Sequence, residues 1–196
     1  MGGDETAHLQ ILIDRLQQGD DSARQELIGH SYERLRLLAR KMLHTDFPRL
    51  QNLHATGSVL DETALRLLSA LKQVSLQTVA GFFGFAALQM RRVLMDMARR
   101  RSREGQRLNP HPANEDINPV DSGCDPAQLA IWTEFHEKVG ELPDKERQVV
   151  DLHWYQGLTQ AETARLLGIS QSDVSRCWMR ARLRLLDWVG GLEQVF

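Results

Sequence analysis

Residues 142–187 read LPDKERQVVDLHWYQGLTQAETARLLGISQSDVSRCWMRARLRLLD, and this stretch decides the fold. Thr159 and Glu162 form a capping-box pattern, in which a hydroxyl and a carboxylate three residues later each bind a backbone N–H of the other residue at a helix start. Gly168 ends that helix, because glycine enters the left-handed conformation without a steric cost. Ser170 begins a second helix in the same manner. The stretch therefore predicts two helices joined by a tight turn, a helix-turn-helix.

The second helix of this pair has an apolar face and a polar face. Its apolar residues recur every three or four positions, which places them on one side of a helix. The other side carries small polar side chains followed by arginines, which can reach base edges and phosphates of DNA. The alternative is an ordinary amphipathic helix with a solvated arginine face. The apolar residues are Val174, Trp178, Ala181, Leu185 and Trp188. The residues predicted to bind DNA are Ser170, Gln171, Ser172, Ser175, Arg176 and Arg180.

Charge is distributed unevenly along the 196 residues, whose formal net charge is −2. Between Arg91 and Arg107, seven arginines accompany two acidic residues, which gives a local net charge of +5. From Leu108 to Gln128, four acidic residues occur with no lysine or arginine. Because local patches rather than the total charge govern binding, the negative total does not exclude a nucleic-acid partner.

The first half of the chain is predicted to form helices, because its apolar residues recur at helical spacing and strand-like alternation is weak. The predicted helices cover residues 8–18, 22–43 and 58–73. A fourth, rich in apolar groups, follows Ser75 and continues into the arginine segment. Another helix, from about residue 126 to 140, precedes the helix-turn-helix.

Residues 108–125 separate the two halves. They contain three prolines, several Asn and Asp residues and almost no apolar periodicity, which predicts a mobile linker. The predicted fold class is therefore all-α, with two small helical domains joined by a flexible linker. We assign residues 1–107 to the first domain, 108–125 to the acidic, proline-rich linker and 126–196 to the helix-turn-helix domain.

Phenylalanines adjoin the arginine segment. Phe82, Phe83 and Phe85 lie on the helix that ends in it. Core packing is the simpler interpretation, and base stacking by a single-strand binder is the alternative. The arginines suit either a helix C-terminus or a nucleic-acid backbone. Their number favours the nucleic acid.

Several classes of protein are not indicated by the sequence. No run of about 18 apolar residues predicts a transmembrane helix, and the first residues lack a secretory signal pattern, so we expect a cytoplasmic protein with no membrane role. Cys124 and Cys177, the two cysteines, form no disulfide or metal-binding pattern. No phosphate-binding glycine loop or zinc-protease motif occurs. We therefore expect no enzyme activity, no catalytic residues, no cofactor and no bound metal.

The order of these features resembles the small bacterial sigma factors of the sigma-70 superfamily, the extracytoplasmic-function (ECF) group, over nearly the whole chain. Residues 142–185 look like region 4 of that family, which reads the −35 promoter element. SVLDETALRLL (58–68) is similar to region 2.2, which docks on the β′ clamp helices of RNA polymerase. FFGFAALQMRRVLMDMARRRSR (82–103) is similar to regions 2.3 and 2.4, which melt and read the −10 element. Ser58 and Ala64 depart from the acidic and aromatic residues usual at these positions.

The resemblance implies a protein that binds core RNA polymerase and directs promoter recognition, DNA melting and transcription initiation. Its implied partners are promoter DNA, the β′ clamp helices and β flap of the polymerase and, as a further candidate, an anti-sigma factor. The implied polymerase-binding residues are Leu60, Asp61, Glu62, Leu65 and Arg66. Those implied for the melted −10 strand are Phe83, Met90, Arg91, Arg92, Asp96, Arg99, Arg100 and Arg103. The alternatives are a two-domain regulator with a LuxR-like helix-turn-helix and no sigma activity, and a helical interaction protein that does not bind DNA.

Overall fold

The computed structural model describes residues 3–46, 56–108 and 126–189. Within these ranges every regular element is helical, which confirms the predicted all-α class. The α-helices are α1 Gly3–Gln17, α2 Ala23–Lys41, α3 Thr56–Ala70, α4 Val79–Leu108, α5 Pro126–Glu141, α6 Asp144–Val149, α7 Gln160–Leu167 and α8 Gln171–Trp188. Two short π-helical segments, Met42–Asp46 and Val150–Tyr155, continue α2 and α6. The predicted linker lies outside the described residues, apart from Leu108 at the end of α4.

Helices α1 to α4 form the first half of the structure. Consecutive helices are neighbours, since α1 contacts α2, α2 contacts α3 and α3 contacts α4. The apolar positions that helical spacing predicted are buried, among them Leu12, Leu35 and Leu67. Between α1 and α2 the chain turns at Gly19, whose φ of +89° is readily adopted by glycine.

Helix α4 connects the two halves. It contains 30 residues and is therefore about 45 Å long. It packs against α1, α2 and α3, and also against α5, α6, α7 and the π-helical segment 150–155. One hydrophobic core extends from residues of α4, such as Leu94, to residues of the C-terminal half, such as Phe135. In this conformation the second half thus lies directly on α4.

The α7–α8 pair has the end signals expected from the sequence. At the start of α7, the backbone N–H of Glu162 donates to Thr159 Oγ1 (3.2 Å) and that of Thr159 donates to Glu162 Oε2 (2.9 Å). Gly168 is left-handed, with φ at +65°. At the start of α8, the N–H of Asp173 donates to Ser170 Oγ (3.1 Å). The capping box, the glycine turn and the second N-cap are therefore confirmed.

The predicted apolar stripe of α8 faces the protein interior. Val174, Ala181 and Leu185 are fully buried, and Trp178 and Trp188 are half-buried. This stripe packs on α5, α6 and α7. The opposite side of α8 is left at the surface.

Residues 144–155 form helical structure that the sequence analysis did not delimit. Helix α6 follows Pro143, whose ψ of 144° is extended. The π-helical segment that continues it is followed by a turn at Gly157, where φ is +66°. This segment buries Asp151 and Tyr155, and it packs against α4. The polar side chains of Asp151 and Tyr155, which belong to the second half, therefore lie on a segment that contacts the first half.

Candidate nucleic-acid interface

The start of α8 presents small polar groups. Ser170, Gln171 and Ser172 are exposed, and Ser175 is half-buried. Ser170 Oγ also donates to Asp173 Oδ2 (2.6 Å), so this hydroxyl caps the helix as well as lying at its surface. The first turn of α8 therefore offers side chains short enough for a DNA base edge to approach the helix closely.

The arginines of α8 differ in their exposure and in the carboxylates that they bind. Arg176 is 67% exposed and pairs with Asp173 one turn earlier. Hydrogen bonds from Ser170 and then from Arg176 lower the pKa of Asp173, which keeps this carboxylate ionised. By contrast, Arg180 and Arg184 both bind the buried carboxylate of Glu146, with Nε–O distances of 3.2 and 3.1 Å. Arg176 is therefore the arginine of these three best placed to reach outward.

Two apolar residues on the exposed side of α8 escaped the sequence analysis. Met179 and Leu183 are each 62% exposed. Together with Ser172 and Arg176 they follow a spacing of four, three and four residues, which places all four side chains on one side of the helix. This spacing is a signal that the sequence carried, because it repeats the period of the buried stripe on the opposite side. We call Ser172, Arg176, Met179 and Leu183 the α8 face.

On α4, the structure divides the residues expected at the melted strand into two sets. Phe83 and Met90 are fully buried, and Arg91 is 1% exposed, so none of the three can contact a strand in this conformation. Their predicted contact with the melted strand stays a prediction. Phe83 belongs to the core, as the simpler interpretation of the phenylalanines predicted. The remaining arginines of the set are exposed: Arg92, Arg99, Arg100 and Arg103.

Arg91 is buried because it binds a carboxylate of the second half. Its Nη1 lies 2.5 Å from Asp151 Oδ1, and its guanidinium lies 4.9 Å from the centre of the Tyr155 ring. The Tyr155 hydroxyl is in turn 2.7 Å from His136 Nδ1. Burial raises the pKa of Asp151, although Arg91 counters part of this effect. Burial, together with the nearby Arg91 cation, holds the pKa of His136 well below its ordinary value, which favours a neutral imidazole.

Among the described residues, two further polar contacts join the halves. Arg99 Nη2 lies 2.6 Å from Glu137 Oε1 on α5. Lys41 donates to the backbone carbonyl of Trp154, and its ammonium lies 4.8 Å from the centre of an indole ring of the same residue. With the Arg91–Asp151 pair, this makes three polar contacts that share one arrangement of charge. In each, the cation belongs to the first half, and the carboxylate or carbonyl oxygen belongs to the second half.

The residues expected to bind polymerase lie on α3. Asp61 is exposed and Leu65 is 65% exposed. Leu60, by contrast, is 1% exposed and belongs to the core, because it lies on the inward side of the helix. Glu62 binds Arg66 (3.1 Å), and Arg66 also binds Asp96 of α4 (2.9 Å). These ion pairs join the α3 surface to the basic part of α4. We call Asp61, Glu62, Leu65 and Arg66 the α3 surface.

The described part of the chain holds no group of three or more His, Cys, Asp or Glu residues placed to bind a metal. Nor does it include a helix long and apolar enough to cross a membrane. The three regions that carry the candidate residues are α3, α4 and the α7–α8 pair.

Comparison with known protein families gives one result. A family model described as "ECF sigma factor" matches residues 6–189. The match covers nearly the whole chain and includes all three candidate regions. It agrees with the resemblance that the sequence motifs indicated.

Proposed function

The chain belongs to the ECF sigma factor family, and we propose that it binds core RNA polymerase and directs promoter recognition, DNA melting and transcription initiation. The observation that carries this proposal is the family match across α3, α4 and α8 together, because a sigma factor needs a polymerase contact and two DNA contacts in one chain. The helical first half also supports it over a LuxR-like regulator, whose sensing domain should alternate strands and helices.

We assign the −35 element to the α8 face and the first turn of α8. Gln171, Ser172 and Arg176 are exposed where a recognition helix contacts base edges. An arginine that binds guanine in a bidentate manner contributes about 1–3 kcal/mol of discrimination. Met179 follows Arg176 by three residues, and an apolar side chain there suits the methyl group of thymine. Arg180, which Glu146 holds against the protein, suits a phosphate.

Polymerase binding is assigned to the α3 surface. Asp61 and Leu65 are exposed and offer a charge and an apolar group to a partner helix. Glu62 and Arg66 lie beside them in an exposed to half-buried ion pair, which can exchange partners at low cost in free energy. Leu60 is buried, so its proposed contribution is indirect: it packs α3 against the core and thereby positions the α3 surface.

The melted strand is assigned to the basic part of α4. Arg92, Arg100 and Arg103 are exposed, and arginines at such positions neutralise phosphates independently of sequence. Phe83 and Met90 lie beneath this surface and hold α4 on the core. The proposed modules are thus residues 1–107 for polymerase and the −10 element, residues 108–125 as linker, and residues 126–196 for the −35 element.

Promoter-dependent initiation tests this function. Core RNA polymerase of the source organism is incubated with fragmented genomic DNA, with and without the purified chain, and the 5′ ends of the RNA products are sequenced. We expect discrete start sites that appear only with the chain and share two upstream elements. A LuxR-like regulator would give such sites only when another sigma factor is added. An interaction protein would give none under either condition.

A further inference from the structure

A buried carboxylate lies beside the arginines of α8. Glu146 belongs to the first turn of α6, and its side chain is only 7% exposed. Arg180 and Arg184 of α8 form ion pairs with its two carboxylate oxygens. We propose that Glu146 is a specificity-determining residue, because it fixes both arginines where they fit DNA phosphates only when α8 is seated on the −35 element. This inference rests on the sigma-factor function proposed above and deepens the assignment of α8.

The packing of α6 on α8 fixes the position of this carboxylate. Val149, three residues after Glu146, is fully buried in a small cluster with Val174 and Cys177 of α8. Glu146 is also the third residue of α6, where the helix dipole favours a negative charge. The carboxylate therefore has a defined position relative to α8, and the arginines that bind it share that position.

The two arginines remain accessible to DNA while they bind Glu146. Their side chains are 56% and 48% exposed, and both ion pairs use the Nε atom. Arg180 has a second contact, from Nη2 to Cys177 Sγ (3.4 Å), so each guanidinium keeps at least one Nη group for a phosphate. Arg180 and Arg184 follow Arg176 at intervals of four residues, or about 6 Å along the helix axis. Since the N-terminal part of a recognition helix contacts base edges, these two arginines are placed for the DNA backbone.

Glu146 lowers the affinity of this part of α8 for DNA in general more than its affinity for the promoter. Two arginines and one carboxylate carry a net charge of +1, whereas the two arginines without Glu146 would carry +2. Because each neutralised phosphate raises affinity whatever the sequence, the carboxylate weakens binding in every register. At the promoter this loss is offset, since side chains that are already fixed lose less conformational freedom on binding. Specificity is the difference between the two affinities, so Glu146 increases it.

Glu146→Gln tests this role in the holoenzyme. Wild-type and variant chains are each assembled with core polymerase and titrated on ice with two labelled duplexes of equal length. One duplex is a promoter fragment from the initiation experiment, and the other lacks a start site. The loss of one negative charge should tighten binding to the second duplex about tenfold at about 0.1 M salt and steepen its salt dependence by about 0.9. We expect a much smaller change on the promoter fragment, so the ratio of the two affinities falls.

Two further variants separate the position of the carboxylate from its charge. Asp144→Asn is the matched control, because it removes an exposed carboxylate of the same helix that pairs with Arg147 rather than with α8. This control should keep the wild-type ratio of affinities. Glu146→Asp keeps the negative charge but shortens the side chain by one methylene group. We expect Glu146→Asp to retain the wild-type salt dependence and still to lose part of the preference for the promoter fragment.

Arg184→Lys covers the case in which the Glu146 variants fail to fold, as judged by circular dichroism. Lysine keeps the positive charge but lacks the planar guanidinium that can bind a carboxylate and a phosphate together. We expect this variant to bind the promoter fragment more weakly and the second duplex as the wild type does. A wild-type ratio of affinities in both Glu146 variants, or in Arg184→Lys where those do not fold, would overturn the role of Glu146. If the wild type yields no start sites or does not prefer the promoter fragment, the sigma-factor function fails instead.

Discussion

Replacement of Arg176 by alanine tests whether the α8 face reads bases. The side chain is 67% exposed, more than Arg180 or Arg184 on the same helix. Its partner Asp173 keeps the hydrogen bond from Ser170 when the guanidinium is removed. Because exposed ion pairs contribute little to stability, we expect the variant to fold normally. If Arg176 contacts a base, promoter binding should weaken by about 1–3 kcal/mol, which is roughly 5- to 150-fold in the dissociation constant.

The assay is fluorescence anisotropy of labelled promoter DNA bound by holoenzymes that contain the wild-type or the variant chain. Each base pair of the −35 element is substituted in turn, and the titrations are repeated at several salt concentrations. Arg182→Ala is the matched control, since it removes an equal charge from an exposed position six residues farther along α8. For Arg176→Ala we expect the loss to disappear at one substituted base pair. For Arg182→Ala any loss should be uniform across the promoters.

Salt dependence decides the interpretation. Each phosphate contact contributes about 0.9 to the slope of log affinity against log salt. A base contact leaves this slope nearly unchanged, whereas a phosphate contact lowers it by that amount. An equal weakening on every promoter, with a slope reduced by about 0.9, would refute base reading by Arg176.

Four further predictions concern single residues. Met179→Ala should abolish the affinity difference between promoters with thymine and with uracil at one −35 position, since uracil lacks the methyl group; a difference that persists in the variant would contradict the contact. Glu62→Ala should raise the dissociation constant for core polymerase without altering the melting temperature, and normal core affinity would overturn the assignment to the α3 surface. Gly168→Ala should lower the free energy of unfolding in urea by about 1 kcal/mol, because φ is +65° and no atom obstructs a Cβ there; an unchanged value would contradict this. Since the folded pKa of His136 is depressed, its contribution to stability is present above about pH 6.5 and lost below it, by up to about 1.4 kcal/mol per pH unit. Comparison of urea unfolding at pH 7.5 and 5.5 should show a smaller pH dependence in His136→Asn, and an equal dependence would exclude His136 as the source.

The parts of the fold that could be predicted from the sequence depend on local interactions. The capping box at Thr159 and the turn at Gly168 each depend on residues within a few positions of one another. A short segment of sequence is therefore enough to predict them. The two sides of α8 follow from the helical period alone. The same period places Met179 on the exposed side, although an apolar side chain is not the type that a DNA contact usually suggests.

The burial of Arg91 could not be predicted in this way. Its partner Asp151 is 60 residues distant in sequence, and no local pattern links an arginine on α4 to an aspartate after α6. By contrast, the burial of Phe83 agrees with the core interpretation of the phenylalanines, because apolar residues at helical spacing predict one buried side of a helix. A resemblance assigns roles by position, and it therefore does not show which of those residues other parts of the chain cover.

The ion pairs that arginines form within the chain also affect the affinity of the free chain for DNA. Nonspecific affinity grows with the number of phosphates that basic side chains can neutralise. In the structure, Asp151 and Glu137 bind two arginines of α4, and Glu146 binds Arg180 and Arg184 of α8. Four cations are thus matched by carboxylates of the same chain before any DNA is bound. Weak binding of the free chain to DNA that lacks a promoter follows from these pairs, since an arginine already matched by a carboxylate gains less from a phosphate.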